Sequence, residues 1–349
     1  MYRNYIVEKE KIIFQNYEAF GESIALTAVL RDLHQTYPDQ FVTDVRTPYP
    51  AIFEHNPYVT RVANDDKNVR KVNVLMTKID DCQVKLANFI GDHVKHVANV
   101  LNLPKLTLQK FAGEIHLAPW ESVWCSQVAD TVGRELPYWL IVSGGKRDFT
   151  TKWWGAQRFQ QVVDAYRGRI LFVQIGSMDD EHPRLNGVLD FRGKTDTRGL
   201  IRLMHRAQGV LCGITGPMHL SAATPMWRHA GRRPCVVIGG GREPMHFWSY
   251  PFHQNLSTVG TLPCCDLAGC WRARTVPLHD GRDQNHNSFC VDVVDNSPRC
   301  MVNIRPEVVI DAVERYYTGG RLAYLTPEQF QLVEPHLNKP QPLVQQVTA

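Results

Sequence analysis

Apolar and polar positions in the first third of the chain keep two periods. Lys11-Ile12-Ile13-Phe14 is a short apolar run, which predicts a buried strand. Leu26, Val29, Leu30 and Leu33 keep the i, i+3, i+4, i+7 spacing of one helical face, which predicts an amphipathic helix ended by Pro38. Residues 41–45 and 72–76 read as further strands. Residues 88–103 read as a helix stopped by Pro104. Strand, glycine turn, helix, strand is the opening unit of a parallel α/β sheet. Residues 106–119 give no clear element.

A second α/β series begins near Leu136. Strands are predicted at 138–143, 169–175, 209–212 and 234–238. Helices are predicted at 154–166, with Phe159, Val162, Val163 and Tyr166 on one face, at 197–207 and at 305–317. Pro217 suits the first position of a helix that follows the turn 213–216. The expectation is two α/β domains, 1–130 and 131–325, with ligand held in the cleft between them at the carboxyl ends of their strands. A polar tail, 326–349, is expected to be loosely held from Pro335.

Composition narrows this reading. A length of 349 residues fits two domains, and 44% hydrophobic with 21% charged residues is ordinary for a globular chain. No apolar run is long enough to span a bilayer, and residues 1–11 are too polar for a secretory signal, so a cytoplasmic protein is expected. The net charge of +4, without a Lys/Arg block, implies no nucleic-acid partner. Of nine cysteines, five lie between Cys264 and Cys300. Without a leader, such clustering reads as a metal site before it reads as disulfides.

Four loops carry candidate chemistry. Gly21-Glu22 places a carboxylate at a strand-to-helix turn, as a helix-capping acid or as a general base, with Glu18 a weaker candidate. Gly144-Gly145-Lys146, with Thr150, Thr151 and Lys152, offers amides, hydroxyls and two ammonium groups to a diphosphate, or is a solvated loop; it lacks the P-loop spacing. Thr215-Gly216-Pro217-Met218-His219 is a tight turn feeding a helix N-terminus, an anion site with His219 in its first turn. Gly239-Gly240-Gly241-Arg242-Glu243-Pro244 allows close backbone approach, and Arg242 meets a phosphate or acidic sugar, or pairs with Glu243. Cys265, Cys270, Cys290 and Cys300, with Cys264 as the alternative to Cys265, suffice for a tetrahedral zinc or iron site of structural kind.

Taken together, these motifs resemble glycosyltransferase family 9, the ADP-heptose:lipopolysaccharide heptosyltransferases, from about Ile12 to Leu322. The resemblance rests on Gly21-Glu22, on Gly145-Lys146 through Trp153-Trp154, and on Thr215 through Leu220. Gly241 through Pro244 and the cysteine region ending Pro298-Arg299-Cys300-Met301 are similar to a subgroup whose members include holders of iron in a cysteine finger. The resemblance implies a GT-B fold, two Rossmann-like domains facing across a cleft, with a cysteine-rich metal-binding insertion in the second. It implies a donor bound mainly to the C-terminal domain and an acceptor bound mainly to the N-terminal one. The transfer would be inverting and without a catalytic divalent metal. Glu22 would be the base, where the family usually has Asp. Lys152 would hold the diphosphate, and Thr215, Gly216 and His219 would complete the donor site. Many members have Asp before that Thr, and this chain has Ile214, so the contact that selects heptose is missing at that position.

The function expected is transfer of a sugar, heptose first, from a nucleotide-diphosphate donor to a hydroxyl of lipopolysaccharide or protein. Peripheral membrane contact is compatible with such an acceptor, and the oligomeric state is open. A sugar-nucleotide epimerase on the same fold is one alternative, although no extra carboxylate cluster supports it. A non-catalytic metal-finger binding protein, using Arg272, Arg274 and Arg282, is the other.

Overall fold

The computed structural model describes residues 9–75, 82, 85–281, 283 and 288–343. Met76, at the end of one expected strand, and Arg282 lie outside them. The chain divides into two compact units: Met1–Val123 with Ala222–Thr224, and Trp124–Ser221 with Pro225–Ala349.

The first unit holds a three-stranded parallel sheet in the order β2-β1-β3, where β1 is Glu10–Gln15, β2 is Phe41–Arg46 and β3 is Val69–Asn73. Ile12, Ile13 and Phe14 of the central strand have no exposed surface, as their continuous apolar run requires. Helix α1, Phe20–Thr36, follows β1. Its outer face is not solvated as an amphipathic pattern predicts: every residue from Ser23 to Leu33 is buried, Arg31 and Asp32 included. The reason lies in residues 109–114, which lacked a period of their own. Arg31 donates to the carbonyls of Lys110 and Ala112 at 2.9 and 2.8 Å, and the Gln109 amide donates to Asp32 at 3.0 Å. A Cβ on Gly113 would come within 2.7 Å of the Ile24 carbonyl, so only glycine lets this segment lie on the helix. Helix α2, Phe89–Leu101, begins at an Asn88 N-cap that accepts from the amides of Ile90 and Gly91.

The second unit holds six parallel strands: β4 (Tyr138–Ile141), β5 (Leu171–Gln174), β6 (Leu189–Asp190), β7 (Gly209–Gly213), β8 (Cys235–Gly240) and β9 (Gln254–Ser257). Their spatial order is β6-β5-β4-β7-β8-β9, the doubly wound order of a dinucleotide-binding sheet. Helices α3 (Ala156–Ala165), α4 (Thr197–Arg206), α5 (Gly216–Ala223) and α6 (Pro306–Thr318) complete the framework. One core joins sheet to helices through Trp139, Trp154, Phe159, Tyr166, Val236 and Val313. Its large polar side chains are satisfied internally: the Trp154 indole donates to the Ile304 carbonyl at 2.7 Å, and the Tyr166 hydroxyl donates to that of Ile310 at 2.8 Å.

Residues 258–300 leave the α/β pattern. A two-stranded antiparallel hairpin there, β10 (Val293–Val294) and β11 (Ser297–Pro298), turns through Asp295 and Asn296. Both turn residues lie in the left-handed region, as a two-residue hairpin loop demands. The tail is pinned further than its composition suggests. The Gly187 amide donates to the Asn338 carbonyl and the Asn338 amide to the Val188 carbonyl, both at 2.9 Å, and the Gln341 amide donates to the Asn186 side chain.

Candidate functional site

In the second unit the order of strands reverses at β4, which lies between β5 and β7. Open parallel sheets bind ligands outside the carboxyl ends of the strands at that switch. The two loops that leave β4 and β7 are residues 142–155 and 214–215; they carry Lys146, Thr150, Thr151, Lys152 and Thr215 of the donor-site residues read from the sequence. In the first unit β1 is central in the same way, and Glu22 lies in the first turn of α1 just after it. There the carboxylate sits in the positive end of the helix dipole.

The loop after β4 is held tightly. Gly145 and Glu181 exchange backbone bonds at 2.9 and 3.1 Å, and a Cβ on Gly144 would lie 1.8 Å from the Glu181 carbonyl. A 3-10 turn, Arg147–Lys152, follows. Its members separate. Lys146 is exposed at the turn's start. Thr150 and Thr151 do not offer their hydroxyls to a ligand, contrary to the sequence expectation: they are 3% and 2% exposed and face inward. Thr151 Oγ1 donates to the carbonyls of Arg272 and Ala273 at 2.6 and 2.9 Å, and Thr150 Oγ1 accepts from the Thr275 amide at 2.8 Å. Lys152 reaches the loop after β8, where its Nζ lies 2.7 Å from Glu243 Oε1.

Arg242 pairs with the same oxygen. Its guanidinium is 6% exposed, donates from Nε to the Arg272 carbonyl at 2.7 Å, and stacks at 4.9 Å from the Phe149 ring and 5.5 Å from the Trp271 ring. Burial works against ionisation of Glu243, but Lys152 and Arg242 outweigh it and hold the carboxyl below its ordinary range. Trp153 is 6% exposed, and its indole N–H has no hydrogen-bond partner among the described residues. That nitrogen lies 3.5 Å from where a Cβ on Gly145 would be, so an unmet donor borders the loop after β4.

At the start of α5, Thr215, Gly216 and Pro217 are half-buried, as the N-terminus of an eight-residue helix open on one side. Met218 is fully buried, so its side chain packs in the core instead of lining a ligand. His219 is 7% exposed, and its Nδ1 lies 2.9 Å from the Tyr250 hydroxyl. Tyr250 left no mark in the sequence because it lies 31 residues away on the far side of β8.

The five clustered cysteines converge. Cys264, Cys265, Cys270, Cys290 and Cys300 all line one small cavity, together with Asp292, Thr151, Gly241 and Arg242. None forms a disulfide, and burial pushes the Cys300 thiol up to about 12. Sulfur donors gathered at one point are the donor set of a zinc or iron site. No three of these sulfurs lie within 4.8 Å of one another: among the described residues, the one set of three ligand atoms that close is Glu54, His55 and Glu121, in the first unit. A closed tetrahedron with metal–sulfur bonds near 2.3 Å would have edges of roughly 4 Å. The cavity borders the ligand loops. Segment 270–275 bonds both: the Cys270 and Trp271 amides donate to the carbonyls of Gly241 and Arg242, while Ala273 accepts from the Thr151 amide. Of the remaining four cysteines, Cys82, Cys212 and Cys235 are buried, and Cys212 and Cys235 meet on the paired strands β7 and β8.

No protein-family model matches this chain, and no curated protein does. Solved structures share its fold, two parallel α/β units of the GT-B class. A glycosyl transferase family 9 structure from Veillonella parvula superposes with a TM-score of 0.54 at 13% identity, covering 72% of this chain and 86% of the other. E. coli ADP-heptose lps heptosyltransferase II gives 0.54 at 12% identity, with 89% and 100% covered. TibC of enterotoxigenic E. coli, described as an iron-containing dodecameric glycosyltransferase, gives 0.57 at 14%, with 89% and 79% covered.

Proposed function

We propose that this protein is an inverting glycosyltransferase that takes a sugar from a nucleotide-diphosphate donor and places it on a hydroxyl. The observation that carries the reading is the switch point of the second unit. There Lys152 and the open N-terminus of α5 supply positive charge where a doubly wound sheet binds nucleotides. The fold shared with family 9 structures supports the same class, and TibC has also been solved in complex with ADP-D-beta-D-heptose. ADP-heptose is therefore the first donor to test, and a glycan of lipopolysaccharide or a protein hydroxyl the first acceptor.

In the reaction, an acceptor hydroxyl attacks the anomeric carbon, its proton passes to Glu22, and the nucleoside diphosphate leaves. Lys152 and the α5 N-terminus stabilise the charge that gathers on the leaving group. Cys265, Cys270, Cys290 and Cys300, with Cys264 as the alternative to Cys265, are of the donor type for a structural iron or zinc, which would draw their sulfurs together around it and would have no part in the bond change. A thermal-shift screen of ADP-, UDP- and GDP-sugars tests the reading. A rise with ADP-heptose supports it. A rise with UDP- or GDP-sugars alone removes heptose, and no rise with any removes the donor site. Donor hydrolysis or epimerisation without acceptor would favour an epimerase.

A further inference from the structure

We propose that Glu243 is the positioning residue of the donor site, the fixed carboxylate that aims the Lys152 ammonium at the donor's diphosphate. This rests on the glycosyltransferase reading above and assigns a role to a residue that no sequence motif marked as a ligand. Three observations converge on it. First, Glu243 is 4% exposed, yet its Oε1 takes both the Lys152 ammonium, at 2.7 Å, and the Arg242 guanidinium. Second, the Arg242 side of this triad is immobilised. Its Nε bonds the Arg272 carbonyl at 2.7 Å and its face lies between the Phe149 and Trp271 rings. Third, the Lys152 side is open: its side chain keeps 21% of its surface exposed against 5% for Glu243.

The geometry therefore runs one way, from a locked arginine through a buried carboxylate to a half-buried lysine, the most exposed member of the three. An ammonium carries three donors, and the bond to Glu243 consumes one. With that ammonium held at Glu243 and 5.3 Å from the centre of the Phe149 ring, the stem has less rotamer freedom to lose when the ammonium meets phosphate oxygens. The charges agree. Two cations on one carboxylate leave the triad at +1, so it still attracts a diphosphate, whereas without Glu243 the two cations would repel each other in a buried place.

The opposing role for the same residue is that of an internal competitor, a carboxylate that occupies Lys152 and must be displaced. The two roles predict opposite signs. Binding of ADP and of AMP to the full-length protein, to E243Q and to K152A, by isothermal titration calorimetry, separates them. If Glu243 positions Lys152, E243Q weakens ADP by about tenfold or more while AMP changes less than about twofold. Added to K152A, it then weakens ADP little further, because the two residues act as one unit. Unchanged or tighter ADP binding by E243Q overturns the proposal. So does an equal loss of ADP and AMP, which a merely structural role would give. E243D keeps the charge on a shorter stem and decides the same question if E243Q does not fold: a smaller loss confined to ADP is expected, and a uniform loss overturns. If the wild-type protein binds neither ADP nor UDP or GDP, the donor-site reading fails instead. If it prefers UDP or GDP, the same comparison is made with that diphosphate and its monophosphate.

Discussion

A single carboxylate and a single histidine give the sharpest tests at the scale of one residue. Glu22 is the acidic residue in the first turn of α1, which follows the central strand of its sheet. As the base, its replacement in E22Q is expected to lower turnover by about 10²-fold or more while leaving ADP affinity unchanged, as steady-state rates and calorimetry would show. Unchanged turnover would remove Glu22 from the mechanism. His93 makes a different prediction, about stability. It has no exposed surface, its Nδ1 lies 2.7 Å from the Phe89 carbonyl, and burial holds its pKa down at about 4 against an ordinary 6.5. Between those values the unfolded chain binds the proton and the folded chain does not. Stability is therefore whole above pH 6.5 and falls as the pH drops toward 4, by up to roughly 3 kcal/mol from this group. Thermal melts of H93Q should lose much of that acid slope, and an unaltered slope would assign it elsewhere, His182 being depressed to about 4 as well.

Among elements, the segment 270–275 has the widest consequence. It joins the Thr150–Lys152 turn to the Gly241–Glu243 loop and starts at a cysteine of the thiol cavity. Gly241, whose carbonyl accepts from the Cys270 amide, is packed against two of the cysteines, since a Cβ there would lie 3.1 Å from both Cys265 Sγ and Cys300 Cβ. G241A is expected to cost about 1–3 kcal/mol, the range for overpacking a buried site, and to lower the metal content measured by elemental analysis. Normal stability with normal metal content would show that the loop yields. The helix α1 teaches a related point. Its apolar spacing located it correctly, but the burial of Arg31 and Asp32 depends on a separate segment that crosses it.

For the whole molecule, the metal site and the donor site should be linked through that segment. Removing metal with a chelator is expected to lower the melting temperature and weaken ADP together. C270S with C290S should do the same, because folding energy in such sites is metal-binding energy. ADP at a hundredfold excess over its dissociation constant should in turn add about 2.7 kcal/mol of stability. A melting temperature indifferent to chelation would set the structural-metal role aside. No described helix is long and apolar enough to cross a membrane.

Local pattern by itself marked the main strands and helices of both units, such as β1, β4, β7, β8 and α1, while β6, β9 and the β10–β11 hairpin carry no pattern of their own and β3 begins three residues before the expected strand. Apolar runs such as Ile12–Phe14 and the periodic faces at 159–166 encode burial over a few neighbouring residues. It also determined which loops hold glycine, lysine and threonine, and that five cysteines lie together. Tertiary structure decided what those side chains do. Thr150 and Thr151, polar in a polar loop, turn inward because residues 272–275 offer backbone partners more than 120 residues away. Met218 enters the core, and Lys152 finds Glu243 across 91 residues of chain. A side chain's partner is set by the order of strands in the sheet, and that order is a property of the packed chain, not of any window along it.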